Sequence, residues 1–281
     1  MNTLKLHKNS TKQLANGVEM PRIGLGVYKM TEPDIALQAI SAALDSGYRH
    51  IDTASLYANE KEVGEAVRNS KINREDIFIT TKVWNSDQGY DQTLKAFEKS
   101  LELLGLDYID LYITHWPVKE TFIDTYRAIE RLYEEKLIRA TGVSNHHQHH
   151  LEAIAAKANV KPMVNQIECH PRLTQFDLRE YCQEQGIAVT SWSPLARGGL
   201  LNEPTLQRIS GKYGKSPAQT IIRWHLQHDL VVIPKSVTPA RIAENLDVFD
   251  FELSFEDMKN IDALNLNERT GADPDNFSFK F

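Results

Sequence analysis

The strongest constraint on this chain is a repeat of kind rather than of sequence: short apolar runs alternate with longer amphipathic stretches over most of its length. Strand-like runs occupy 23–27, 49–52, 77–82, 109–115, 140–143, 163–167, 187–191 and 231–233. Helical periodicity fills the intervals at 33–46, 60–69, 93–104, 122–135, 149–158, 176–185, 218–227 and 239–245, as in Ile35, Leu37, Ile40 and Leu44. Strands that alternate with helices pair in parallel through right-handed crossovers. Runs that stay apolar on both faces need cover on both, which helices provide. Eight such units fit an α/β fold of the closed (β/α)8 TIM-barrel type, which takes about 250 residues. A doubly wound open sheet is the alternative, but the chemically useful residues recur at the ends of many successive runs, as a barrel mouth requires, rather than at one switch point.

Two further features complete the expected architecture. Asn16-Gly17 between short alternating segments predicts a β-hairpin ahead of the barrel, because Asn-Gly readily takes the positive φ of a tight turn. After the last helix, 269–281 is rich in Gly, Pro, Asp and Phe and reads as a loop, folded over the mouth or frayed. No linker or low-complexity segment interrupts the chain, so residues 1–281 read as a single barrel domain.

With 41% hydrophobic and 25% charged residues, the composition supports a large core. A formal net charge of -6 argues against a general nucleic-acid or anionic-membrane surface while allowing a local basic pocket. Cys169 and Cys182 lack CxxC spacing and are too few for a disulfide framework. The N-terminus carries no continuous apolar h-region, and no run approaches the roughly 18 apolar residues of a membrane span. A cytoplasmic location is expected.

Gly24-Leu25-Gly26 lacks the third glycine of a dinucleotide fingerprint, with Lys29 at that offset. Residues 210–216 imitate a P-loop, but Ile209 stands at the first glycine position and no strand leads in; a loop before a helix is expected there. His146 and His150 would share a helix face at i, i+4, yet no carboxylate or cysteine completes a ligand set, and no metal is expected. Asp52, Lys82 and His115 form a different pattern. Each ends a strand-like run, and Tyr57 follows one loop after Asp52. In a barrel, separate strand ends would bring acid, cation and imidazole around one phenol. Lys82, held by Asp52, is then expected to lower the phenol's pKa from near 10.

The blocks HIDTASLY, TTKVW, IDLYITHWP, GVSN, VNQIECHP, SWSPL and IPKS, in this order over nearly the whole chain, resemble the aldo-keto reductases. The similarity is to the microbial branch of 2,5-diketogluconate and glyoxal or methylglyoxal reductases, and to protozoan prostaglandin F synthases. That resemblance implies NADPH-dependent reduction of small aldehydes and ketones on an eight-stranded barrel, with Tyr57 as general acid, Lys82 and Asp52 tuning it, and His115 orienting the carbonyl. It implies Ser144, Asn145 and Gln166 at the nicotinamide carboxamide, Trp192 stacked on the ring, and Ser193 and Leu195 near the pyrophosphate. Lys235, Ser236 and Arg241 match the 2′-phosphate pocket, with Glu244 and Asn245 at the adenine; two cations, a hydroxyl and a helix start are suited to an anion. Tyr28, Trp84 and Trp116 match the substrate wall, Tyr28 standing where many relatives carry tryptophan. A monomer acting on small carbonyls is the expectation. The alternatives are an NADPH-binding regulatory subunit of a channel and, further off, a metal-dependent barrel hydrolase.

Overall fold

The computed structural model of the protein describes residues 6–278. The chain opens on an antiparallel hairpin of β1 (Thr11–Gln13) and β2 (Glu19–Pro21). Its turn is set by Gly17 at φ +85° and closed by Leu14 N–H donating to Val18 O at 2.9 Å. Leu14 and Met20 on the hairpin are buried against Phe78, Leu111, Ala140, Val164, Ala188 and Val231 from the barrel strands. The hairpin therefore plugs the end of the barrel where the strands begin. Asn16 pins it there by donating to Arg139 O at 2.9 Å.

Eight parallel strands follow in chain order: β3 (Leu25–Gly26), β4 (His50–Asp52), β5 (Phe78–Val83), β6 (Ile109–Thr114), β7 (Ile138–Ser144), β8 (Val164–Glu168), β9 (Ala188–Trp192) and β10 (Val231–Val232). The first and last are shorter than their apolar runs, but the sheet closes on itself through a parallel bridge between Ile23 and Val232. Gly24 N–H donates to Val232 O at 2.9 Å, and Gly26 N–H to Pro234 O at 3.1 Å. The two glycines of the incomplete fingerprint thus serve the seam. A methyl at Gly24 would lie 2.5 Å from His50 Nδ1, and one at Gly26 would lie 3.0 Å from Ile233 O. The closed barrel, rather than the open sheet, is the fold.

The expected helices are present as α1 (Pro33–Ser46), α2 (Glu60–Asn69), α3 (Tyr90–Leu104), α4 (Phe122–Glu134), α5 (Gln148–Ala155), α6 (Phe176–Glu184), α8 (Pro217–Gln227) and α9 (Pro239–Leu246). Two more escape the alternation because no strand follows them directly: α7 (Pro204–Tyr213) and α10 (Phe255–Asp262). Local signals mark both. Glu203 caps α7 by accepting from Leu206 N–H, with Pro204 in the first turn, and Ser254 caps α10 by accepting from Asp257 N–H. The expected loop at 210–216 is therefore corrected: Ser210 to Tyr213 finish α7, Gly214 ends it at φ +64°, and Ser216 caps α8 through a reciprocal box with Gln219.

Asp110, at the start of β6, is fully buried and held by Arg74 and Arg139 at 2.7 Å each and by Ile79 N–H at 2.9 Å. This cluster lies at the closed end of the barrel, away from the mouth. Replacing Asp110 by Ala strips two guanidinium groups of a shared anion, and we expect a loss of about 3 kcal/mol in urea unfolding. Steady-state activity of the folded fraction should be unchanged.

Candidate active site

Asp52 is the last residue of β4 and Lys82 lies near the end of β5, so the barrel register sets them side by side inside the mouth. Lys82 Nζ donates to Asp52 Oδ1 at 2.6 Å and to Thr53 O at 2.8 Å, and both side chains are almost wholly buried. Gln166 from β8 donates to the other carboxylate oxygen at 2.7 Å. Every oxygen of the acid is thus committed across the barrel.

Tyr57 ends a short 3-10 turn, Ser55–Tyr57, which stops at Ala58 in the left-handed region. That turn is tied down from both sides. Ser55 Oγ donates to Lys82 O at 3.0 Å, and Asn59 accepts from Thr53 Oγ1 at 2.7 Å while donating to Val27 O at 2.9 Å. The phenol ring consequently sits 5.1 Å from Lys82 Nζ and edge-on to His115, with ring centroids 5.7 Å apart. Trp84 packs edge-on against His115 at 5.0 Å, and Tyr28 leans on Tyr57 at 4.9 Å. The four expected residues do converge, and the three aromatic candidates, Tyr28, Trp84 and Trp116, line the same cavity.

The electrostatics depart from one expectation. Burial first, then the Asp52 charge and the neighbouring Tyr28, hold the Tyr57 phenol well above its ordinary pKa rather than below it. Burial dominates, and Lys82 does not offset it because its ammonium is paired with the Asp52 carboxylate at 2.6 Å. Burial, and secondarily Lys82, push His115 well below the usual imidazole value. Burial also lowers Lys82, with Asp52 opposing. At neutral pH the corner therefore holds a protonated phenol beside a neutral imidazole.

From this corner a cavity of about 820 Å³ runs along the mouth to the start of α9. It is bordered by Ser144, Asn145, Gln166, Trp192, Ser193, Leu195, Lys235, Ser236, Arg241, Glu244 and Asn245, all of the residues expected to contact a dinucleotide. Their polar groups largely organise one another. Ser144 Oγ donates to Gln166 O at 2.8 Å, Asn145 Nδ2 donates to His115 O at 2.9 Å, and Trp192 Nε1 donates to Asn145 Oδ1 at 2.8 Å. Asn145 and Ser193 reach these positions through left-handed backbone, φ +63° and +48°. At the far end, Lys235 and Arg241 are exposed, and among the described residues no carboxylate pairs with either. Thr238, which caps α9, leaves the first-turn N–H groups of that helix without a side-chain acceptor. An elongated anion-bearing ligand with a flat ring fits this donor set: cations and helix N–H groups at one end, an indole surface near the other.

The tail folds over the mouth, a feature its composition left open. Glu168, missed by the sequence reading, is the anchor: its Oε1 accepts from Thr270 N–H and Oγ1 at 2.6 and 2.5 Å, and its Oε2 from Gly271 N–H at 3.1 Å. Burial raises its pKa, but these bonds and one from His170 outweigh that and hold the carboxyl below its ordinary value. Further on, Phe277 packs against Trp116 at 5.2 Å. Residues 279–281 of the expected tail lie outside the described residues.

The histidine tract also changes meaning. His146 precedes α5 and is fully buried, its Nδ1 on Ser144 O at 2.8 Å and its pKa pushed by burial down to about 3. His146 still meets His150 edge-on, with ring centroids 5.6 Å apart, while His147, His149 and His150 gather around Asp275 of the tail at 2.8, 3.1 and 3.6 Å. His150 Nδ1 accepts from His147 N–H, and His147 Nε2 faces an Arg269 donor at 3.0 Å. His147 Nδ1 therefore carries its proton toward Asp275, which it hydrogen-bonds at 2.8 Å, and the expectation that no carboxylate joins the tract is corrected: ligand atoms of His147, His150 and Asp275 lie within 4.8 Å of one another.

Replacing Asp52 by Ala would leave the Lys82 ammonium buried without its anion. We expect a loss of about 3–5 kcal/mol at pH 7. Because such a lysine has a folded pKa below its unfolded value, the deficit should narrow as pH rises toward about 10, a trend readable from unfolding curves at several pH values.

Comparison with known proteins bears on this arrangement. The family model described as the aldo/keto reductase family matches residues 22–266. Glyoxal reductase of Bacillus subtilis is 56% identical over 96% of this chain and 98% of its own. The 9,11-endoperoxide prostaglandin H2 reductase of Trypanosoma cruzi is 52% identical over 94% of each. A solved structure of a Gox0644 point variant in complex with NADPH superposes with a TM-score of 0.92 at 42% identity, covering 96% of this chain and 99% of that one. A family model spanning most of the chain and relatives of this identity leave one assignment: the chain belongs to the aldo/keto reductase family.

Proposed function

We propose that this protein reduces small reactive carbonyl compounds, glyoxals foremost, with NADPH, and that Tyr57 is the proton donor. The observation that carries the reading is the corner of half-buried Tyr57 and buried His115, Lys82 and Asp52 opening into a cavity whose far end bears cations without a carboxylate partner among the described residues. Membership of the reductase family, the glyoxal reductase relative and the NADPH-bound neighbour support it.

In this reading Lys235, Ser236 and Arg241 take the 2′-phosphate, with Glu244 and Asn245 beside the adenine and Ser193 and Leu195 along the pyrophosphate. Trp192 presents its indole face to the nicotinamide, and Ser144, Asn145 and Gln166 frame the carboxamide. The bound nicotinamide supplies the hydride. The chain's own residues do the rest. His115, neutral at working pH, offers a ring nitrogen to the substrate oxygen without a competing charge. Tyr57, held protonated, gives its proton to that oxygen as negative charge develops there. Transient negative charge on Tyr57 is met by the Lys82 ammonium 5.1 Å from its ring, and Asp52 keeps that ammonium in place. Tyr28, Trp84 and Trp116 exclude water around the carbonyl and favour small, flat or apolar substituents.

Two variants separate the chemistry from the binding. Tyr57→Phe should lower kcat for methylglyoxal by about 10²–10⁴-fold while NADPH binding, followed by fluorescence, stays within a few-fold; near wild-type turnover would remove Tyr57 from the donor role. Arg241→Ala should raise the KM for NADPH about tenfold and leave the KM for NADH unchanged. An equal loss with both cofactors would place Arg241 outside the 2′-phosphate pocket.

A further inference from the structure

Trp192 is held at two opposite points. Its indole N–H is fixed by Asn145 Oδ1 at 2.8 Å, on the strand side of the ring. Its benzo edge lies against the backbone of Gly271 in the tail, so closely that a methyl there would stand 2.5 Å from Cη2 and 3.3 Å from Cζ3. Gly271 is fixed in turn. Its N–H donates to Glu168 Oε2, and the preceding residue, Thr270, donates twice to Glu168 Oε1. Glu168 is the register partner of Trp192 across β8 and β9, so the acid that grips the tail is the immediate strand neighbour of the ring that the tail touches. Its carboxylate is fully buried, and its remaining contact, His170 Nε2 at 3.1 Å, comes from the same loop. Glycine is the residue that permits this approach, since any side chain at 271 would collide with the ring or with Glu168, 3.2 Å from the same point.

We propose that Glu168, Thr270 and Gly271 are positioning residues: the tail, latched to Glu168, forms a backstop that fixes the plane of Trp192 and thereby the stacking surface for the nicotinamide. This inference rests on the reading of Trp192 as the cofactor platform. It makes the carboxyl-terminal tail part of the cofactor site through contact with the protein's own indole, in addition to any contact it makes with substrate. The Asp275 clasp on His147, His149 and His150 then holds the far side of the same strap.

A double-mutant cycle on the full-length protein tests it, with NADPH dissociation constants read from cofactor fluorescence and kcat and KM measured with methylglyoxal. Gly271→Ala should weaken NADPH about tenfold in the wild-type background and less than about twofold on top of Trp192→Phe, whose smaller ring leaves space for the methyl. Equal weakening in both backgrounds, or no weakening in either, would overturn the proposal. Trp192→Phe alone serves as the separate check on the underlying reading: if it binds NADPH like the parent, Trp192 is not the platform and the proposal falls with it. Thr270→Val, which removes one bond to Glu168 and adds no bulk, covers the case in which Gly271→Ala does not fold. It should weaken NADPH by a few-fold with Trp192 present and not in the Trp192→Phe background; a loss of the same size in both backgrounds would contradict the latch.

Discussion

The ion pair between Lys82 and Asp52 is the interaction on which the mouth of this barrel depends. An ammonium with almost no exposure is costly to bury, and it persists here because a carboxylate at 2.6 Å and a backbone carbonyl at 2.8 Å replace its water. The pair does more than survive. Through Gln166 it ties β4 and β5 to β8 across the barrel, and through Ser55, which donates to Lys82 O, it fixes the turn carrying Tyr57. The turn that carries the phenol is thus anchored to the backbone of the residue whose ammonium lies 5.1 Å from its ring. The pairing has an electrostatic consequence. A lone lysine would draw the phenol toward phenolate, whereas the paired one leaves burial and the Asp52 charge to keep the proton on. Such a corner is suited to giving a proton to an oxygen on which charge is developing.

The cavity has two chemically different ends. Around Tyr57 it is aromatic and close-packed, and toward α9 it is open, cationic and ringed by N–H donors. In a protein with a net charge of -6, exposed Lys235 and Arg241 gather positive charge at that end, which suits an anionic ligand. Closed parallel strands make this possible because each contributes a side chain from its carboxyl end to one rim. The opposite end, sealed by the hairpin and the Asp110 cluster, holds none of the candidate catalytic residues.

Much of this was readable from residue order. The alternation of apolar runs and amphipathic stretches predicts the barrel, and Asn16-Gly17 predicts the hairpin, because both signals are local and periodic. Asp52, Tyr57, Lys82 and His115 could be grouped because each sits at or just after a strand end, where a barrel has a single mouth. Other features were not legible. The direction of the Tyr57 shift depends first on how deeply the fold buries the phenol and then on how near the Asp52 charge lies, and no spacing encodes either. Glu168 looks like an ordinary residue of VNQIECHP until the tail returns to it from about a hundred positions away. His146 and His150 do pack edge-on, with ring centroids 5.6 Å apart, but Asp275, which gathers His147, His149 and His150, comes from the distant tail and could not be read from the tract. Helices α7 and α10 carry proper caps, but an alternation template has no place for helices without strands.

The central claim is that the Lys82–Asp52 pair leaves Tyr57 protonated through neutral pH, and nuclear magnetic resonance reads this directly. Protein labelled with [¹³Cζ]tyrosine, titrated from about pH 6 to pH 10 and compared with Tyr57→Phe for assignment, reports the phenol's state by the shift of that carbon. The account predicts a Tyr57 resonance that stays at the phenol position across the whole range, in a protein whose Asp52 is intact. A titration midpoint near neutrality would contradict it, and would mean that the Lys82 charge reaches the phenol uncancelled.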